Sequence, residues 1–329
     1  MNAEPLRNCL EVSLMIKPIR YLLFSRIAFV TAVVITLGVI SQSVLSQQDN
    51  AGAAVEAAEE TKTETSEKRV YIRLHESEQG EPLALQTNIV SFKGTKGPYK
   101  KVTVDLIGAI HVGDKSYYET LNKRFTKYEA VLYELVAPEG TRIPKGGHKE
   151  GFSLHPISGL QNGMKSMLKL EHQLEQIDYT VENLVHADMT PEEFDASMKE
   201  RNEGFSTLLY RSIGQGLATQ GASDAPSDLS LIAAFFSKDR DKKLKLLMAK
   251  QFAVQEGLPD VMSGPDGSAI ITARNDKALG ILKKQLKTGK KHVAVFYGAG
   301  HLRHMEEVLT SDFLMKRVSE EWVDAWQLK

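Results

Sequence analysis

Two short stretches of this 329-residue sequence pair glycine with histidine in the same way behind an apolar run. Gly108-Ala109-Ile110-His111 follows residues 102–107, and Gly298-Ala299-Gly300-His301 follows residues 292–297. Glycine at the end of a strand permits a tight turn. In an open α/β sheet the next polar side chain then stands at the carboxyl edge, where ligands bind. Glu134 lies in a third apolar run, residues 130–136. A carboxylate there needs a partner, because an unpaired buried charge is costly. The partner is either a metal ion or a cation such as Arg274. Two imidazoles and one carboxylate, with a position left for water, make a reasonable catalytic metal site. His111, Glu134 and His301 are therefore the candidate ligands of a divalent ion such as Mn, Co or Zn. One Gly-x-x-His is common by chance; its repetition singles out these two.

Other chemistry is thinly represented. His301-Leu302-Arg303-His304 lacks the glutamate of the zinc-peptidase His-Glu-x-x-His, so His304 is expected on a helix surface. Asp188, just before a helix start, reads equally as a loop acceptor or a site residue. The nucleophile elbow, the phosphate-binding loop and the dinucleotide fingerprint are all missing, which argues against serine hydrolase, P-loop nucleotidase and dehydrogenase. Cys9 is the one cysteine, so disulfide scaffolds, Fe–S clusters and Cys-rich zinc sites are excluded. With 41 Lys+Arg against 42 Asp+Glu, no basic surplus points to nucleic acid as a partner.

The elements that must position these residues follow from hydrophobic period. Residues 70–74, 83–92, 102–107, 130–136 and 292–297 read as strands; residues 116–128, 269–287 and 302–309 read as helices. Strand, helix, strand over 102–136 is the pattern of a parallel β-α-β unit. Thr190-Pro191-Glu192-Glu193 is a capping box with proline at the first helical position, and it starts a helix. The stretch from about 160 to 256 is mainly helical in pattern and is expected to cover the sheet edge. The fold class is α/β: a central, largely parallel or mixed sheet flanked by helices, with a mainly helical insertion.

Residues 27–46 are mostly apolar and carry no charge, with Lys17, Arg20 and Arg26 before them. This is a transmembrane anchor or the core of a signal peptide, and the positive flank keeps residues 1–26 cytoplasmic. Met15 is a second plausible start for a signal. Residues 47–68 hold six acids, two lysines and Val55 as the one large aliphatic residue, the composition of a flexible acidic tether. Residues 69–329 then form the exported domain. It is held at the cell membrane as a single-pass protein, or is secreted or periplasmic if the segment is cleaved.

The residues 105–112, Tyr133-Glu134-Leu135, Arg274-Asn275 and 297–302, in this order, resemble the TraB/PrgY/TIKI family. The resemblance spans about 102 to 310 and skips the helical middle. It implies an α/β core related to erythromycin-esterase-like and ChaN-like proteins, with both Gly-x-x-His motifs at one site. Members include membrane-tethered, metal-dependent peptidases, a protein that limits a peptide pheromone, and haem-binding relatives. Carried over, His111, Glu134 and His301 are metal ligands or catalytic residues, and Arg274 is a charge-stabilising partner. The expectation is a metal-dependent peptidase acting on peptides or proteins. Its rival is a non-catalytic protein that sequesters a peptide or haem.

Overall fold

The computed structural model describes residues 69–147, 167–203, 228–254 and 268–329. All lie within one unit, Thr63–Lys329. The predicted membrane segment 27–46 and tether 47–68 lie outside the described residues. No helix among the described residues is long and apolar enough to cross a membrane.

The apolar runs become one mixed sheet of seven strands. Its members are β1 (Ile72–Glu76), β2 (Pro82–Gly94), β3 (Thr103–Ala109), β5 (Ala130–Tyr133), β7 (Leu184–His186), β8 (His292–Gly298) and β9 (Met315–Gln327). β4 (Val112–Gly113) and β6 (Glu171–His172) form a separate antiparallel ribbon. β9 pairs with β2 from Ala84 to Gly94 along one edge. β1 and β3 share the opposite edge, β1 on residues 82–87 and β3 on residues 89–93. Beyond β3 the order is β8, β5, β7, all parallel.

Both faces of the parallel half are buried, so its strands read as continuous apolar runs rather than as alternation. One face carries Ile107, Ala109, Val131, Tyr133, Ala294 and Phe296 under helix α1 (Lys115–Phe125). The other carries Val104, Leu106, Leu132, Val293, Val295 and Tyr297. Of the remaining helices, α2 (Gln173–Gln176) and α3 (Pro191–Glu200) follow β6 and β7, and α4 (Asp228–Phe235) and α5 (Arg240–Val254) lie in the middle of the chain. α6 (Arg274–Lys287) and α7 (Leu302–Ser311) cover the second face through Ala278, Leu279, Leu282, Leu302, Met305 and Leu309. Each fully buried aliphatic side chain contributes about 1.5–3 kcal/mol relative to exposure, which makes this double-faced core the main source of stability.

The connections make a topological switch point. β3 leaves the sheet into α1 on the first face, whereas its neighbour β8 leaves into α7 on the second. Adjacent parallel strands that exit to opposite faces open a gap beyond their carboxyl ends. The two Gly-x-x-His motifs end these two strands.

Several elements differ from the sequence reading. β3 and β5 are parallel as expected, but β8 lies between them. Within residues 160–256, β7 belongs to the central sheet, and α5 packs against β1 and β2. Residues 148–166, 204–227 and 255–267 of and around that stretch lie outside the described residues. The α3 helix has the full capping box, with Thr190 and Glu193 bonding reciprocally. The helix read over 269–287 begins as a π-helical turn, Ala269–Ala273, before α6. β9 carries the charge-rich run Lys316–Glu321, which hid it; only its pairing with β2 reveals it as a strand.

Candidate active site

The loop after β3 is fixed by donors from buried groups. Gly108 O accepts from Tyr117 Oη at 2.7 Å and Ile110 O from Tyr118 Oη at 2.9 Å. His111 O accepts from Gln173 N at 2.9 Å and Val112 O from Trp326 Nε1 at 2.6 Å. These bonds satisfy the loop's carbonyls and hold it in place, with the exposed His111 just past the carboxyl end of β3. The ring Nδ1 meets Gln173 Oε1 at 3.3 Å.

Glu134 follows β5, and its main chain continues the pairing through Glu134 N to Phe296 O. Its Oε2 accepts from Gly298 N at 2.7 Å and its Oε1 from Arg274 Nη2 at 2.7 Å. Gly298 leaves room for this contact: a Cβ there would lie 3.2 Å from Glu134 Oε2, tighter than ordinary packing. Arg274 also grips Asp188, Nε to Oδ1 at 3.0 Å and Nη2 to Oδ2 at 2.5 Å. Asp188 stands two residues past β7, beside Ala187, whose carbonyl accepts from Tyr297 Oη. One guanidinium thus links two carboxylates delivered by two adjacent strands.

His301 ends a short turn, Ala299–His301, after β8, and its side chain is 7% exposed. Its tautomer follows from Asn275. The amide nitrogen of Asn275 donates to His301 O at 3.0 Å, and that carbonyl can only accept. Asn275 Oδ1 therefore faces His301 Nδ1, at 2.6 Å, and the ring nitrogen must donate to it. The proton is on Nδ1, and Nε2 offers a bare lone pair 3.6 Å from Glu134 Oε1. The same Asn275 nitrogen lies 3.2 Å from His304 Nδ1, so His304 is tied to the site's back rather than standing free on a helix surface.

Electrostatics keep this arrangement charged on one side only. Burial drives His301 down to about 4, against a smaller upward pull from Glu134, so the ring is neutral at pH 7. Burial alone would raise Glu134; His301, Arg274, His111 and the Gly298 N–H outweigh it and hold the carboxyl at about 2. With His301 neutral, Arg274 is the permanent cation that keeps Glu134 ionised. Its own pKa rises because hydrogen bonds and charge from Asp188 and Glu134 outweigh its burial. Burial, with Asp188 and Glu134 nearby, pushes the Tyr297 hydroxyl well up, so it stays protonated.

Of the predicted residues, Glu134 meets Arg274 and His301 by contact, and His111 stands past the end of β3, the strand next to β8, with Gln173 as its side-chain partner. Sequence reasoning missed Gln173 and Asn275 as partners of the two histidines and left Asp188 open. Asp188 had a signal, an acid just beyond a strand end; Gln173 had none.

The donor set does not fit a three-ligand metal centre. His301 Nε2 and Glu134 Oε1 are spaced nearly as neighbouring ligands of a tetrahedral ion, about 3.3 Å apart. Oε1, however, is already bonded to Arg274, whose fixed positive charge opposes a dication there, and Oε2 is held by Gly298. Among the described residues, no three His, Cys, Asp or Glu side chains gather as a metal would need.

Comparison with protein families, with curated proteins and with solved structures finds no match to this chain.

Proposed function

We propose that this chain is an exported or membrane-tethered hydrolase that cleaves peptide bonds with a water activated between His301 and Glu134. The reading rests on two acceptors, His301 Nε2 and Glu134 Oε1, facing each other at 3.6 Å. Two lone pairs at that separation repel unless a donor is shared between them, and a water giving one hydrogen to each meets the need. The water's oxygen is then aimed outward, towards a carbonyl at the switch point.

In this mechanism Glu134, kept anionic by Arg274, orients the water. His301 Nε2 takes its proton as the oxygen attacks the scissile carbonyl carbon. The resulting imidazolium stands opposite the Glu134 carboxylate, which offsets the low resting basicity of the ring. The proton then passes to the departing amine. His111, exposed past the end of β3, meets the substrate. Peptide as the substrate and export of the domain are supported by the family resemblance and by residues 27–46.

The test incubates the purified protein and its His301→Ala variant with a diverse peptide library, with chelator or with Mn²⁺, Co²⁺ or Zn²⁺. Peptide products from the parent in chelator, and none from the variant, are expected. Cleavage only with added metal would restore the metallopeptidase expectation. Peptide or haem bound and left intact would replace the hydrolase with a sequestering protein.

A further inference from the structure

We infer that Gln173 is a positioning residue of this site, holding His111 with its proton on Nδ1 and its lone pair on Nε2. The inference deepens the proposed function by assigning the state of its second histidine. Gln173 is 4% exposed and grips His111 twice. Its main-chain N donates to His111 O at 2.9 Å, and its side-chain Oε1 faces His111 Nδ1 at 3.3 Å. The Gln173 amide nitrogen is turned away, donating to Tyr179 Oη at 2.9 Å. Burial raises the Tyr179 pKa, so its oxygen remains a neutral hydroxyl able to accept. With the amide in this orientation only an acceptor is left for His111, and the ring nitrogen facing it must carry hydrogen.

The surroundings keep the amide where it is. The β4–β6 ribbon pairs Val112 with His172, so the residue before Gln173 is clamped to the residue after His111. Tyr179 packs its ring edgewise on Tyr133 at 4.9 Å, one residue from Glu134. The result repeats the His301–Asn275 pair: a carboxamide oxygen on Nδ1 and the basic nitrogen on the far side of the ring. Two strands thus deliver two histidines in one tautomer, each through a buried amide.

The opposite amide orientation has the opposite consequence. If Tyr179 donated to Oε1, the amide nitrogen would donate to His111 Nδ1 and the proton would move to Nε2. Nitrogen NMR of the full chain, labelled at the histidine rings and assigned with His111→Ala, separates the two. We expect His111 in the Nδ1–H form in the parent and in Gln173→Glu, whose carboxylate still accepts. In Gln173→Leu we expect the mixture of a solvated ring, with His301 unchanged as the internal control of folding. An Nε2–H form in the parent, or an unchanged His111 in folded Gln173→Leu, would overturn the proposal. If Gln173→Leu loses the His301 signal as well, the parent and Gln173→Glu spectra decide the question between them. On peptide cleavage, Gln173→Leu should lower kcat about tenfold with less change in KM, and Gln173→Glu should recover most of it. The tautomer result stands whether or not peptide is the substrate.

Discussion

Burial makes the His301 ring a base that stays unprotonated far below the usual histidine range, and two pH effects follow. Activity that needs Nε2 free should persist into acid and fall near pH 4, where His301 takes its proton, rather than near 6.5; a pH–rate profile checks this. Stability follows the same shift. The folded ring binds fewer protons than the unfolded one between pH 6.5 and 4, so stability falls as pH drops through that window. The loss amounts to about 3 kcal/mol, and His301→Gln should flatten it in urea midpoints measured at each pH. Glu134 adds a further loss from 4.5 down towards 2, since its folded pKa is depressed and its contribution needs the ionised form. Arg274 is the more consequential residue. Arg274→Ala leaves Glu134 and Asp188 buried together without a cation, and should cost about 3–5 kcal/mol in chemical denaturation. Arg274→Lys restores charge without the fork that serves two carboxylates, and should recover only part.

At the scale of elements, the site depends on how closely β5 and β8 approach and on the fixed loop after β3. Gly298→Ala puts a methyl 3.2 Å from Glu134 Oε2 while leaving the β8 pairing intact. Activity should fall about tenfold or more with little change in melting temperature, because the carboxylate moves and the fold does not. Trp326→Phe removes the donor to Val112 O and leaves a buried carbonyl unsatisfied, at a cost of about 1–3 kcal/mol. Faster amide exchange should appear around His111 and in β9. The π-helical turn before α6 sends Arg274 to the carboxylates and Asn275 to His301 from consecutive positions. Its period is not that of an α-helix, so a 3.6-residue reading of 269–287 finds the helix and misses what its first turn does.

For the molecule as a whole, Lys245 on α5 bridges to Asp114, the N-cap of α1, at 2.8 and 3.1 Å with both side chains mostly buried. Asp114 Oδ2 also accepts from Gln327 N at the end of β9, so three distant parts of the chain meet at one carboxylate. The helical middle is therefore tied to the sheet beside the His111 loop. The proposed export belongs to this scale too. With residues 27–46 as anchor or signal, the domain should be digested by protease added outside the cytoplasmic membrane. Deleting residues 1–46 should leave it protected in the cytoplasm.

Local patterns were enough for β1, β2, β3, β5 and β8, for the capped start of α3, and for placing both histidines and Glu134 at strand ends, because strand runs, capping and Gly-x-x-His are written in adjacent residues. Three things needed the fold. β8 between β3 and β5 is a long-range pairing that no window contains. β9, solvent-facing and charged over much of its length, is a strand because β2 offers it a partner. Gln173, Asn275 and Asp188 are polar residues of ordinary type, and they matter because burial beside a histidine or an arginine fixes which partners their hydrogen-bonding groups meet. Residue type and spacing determined which side chains could do chemistry. Burial and long-range contact decided which atoms face one another, and so which proton each histidine keeps.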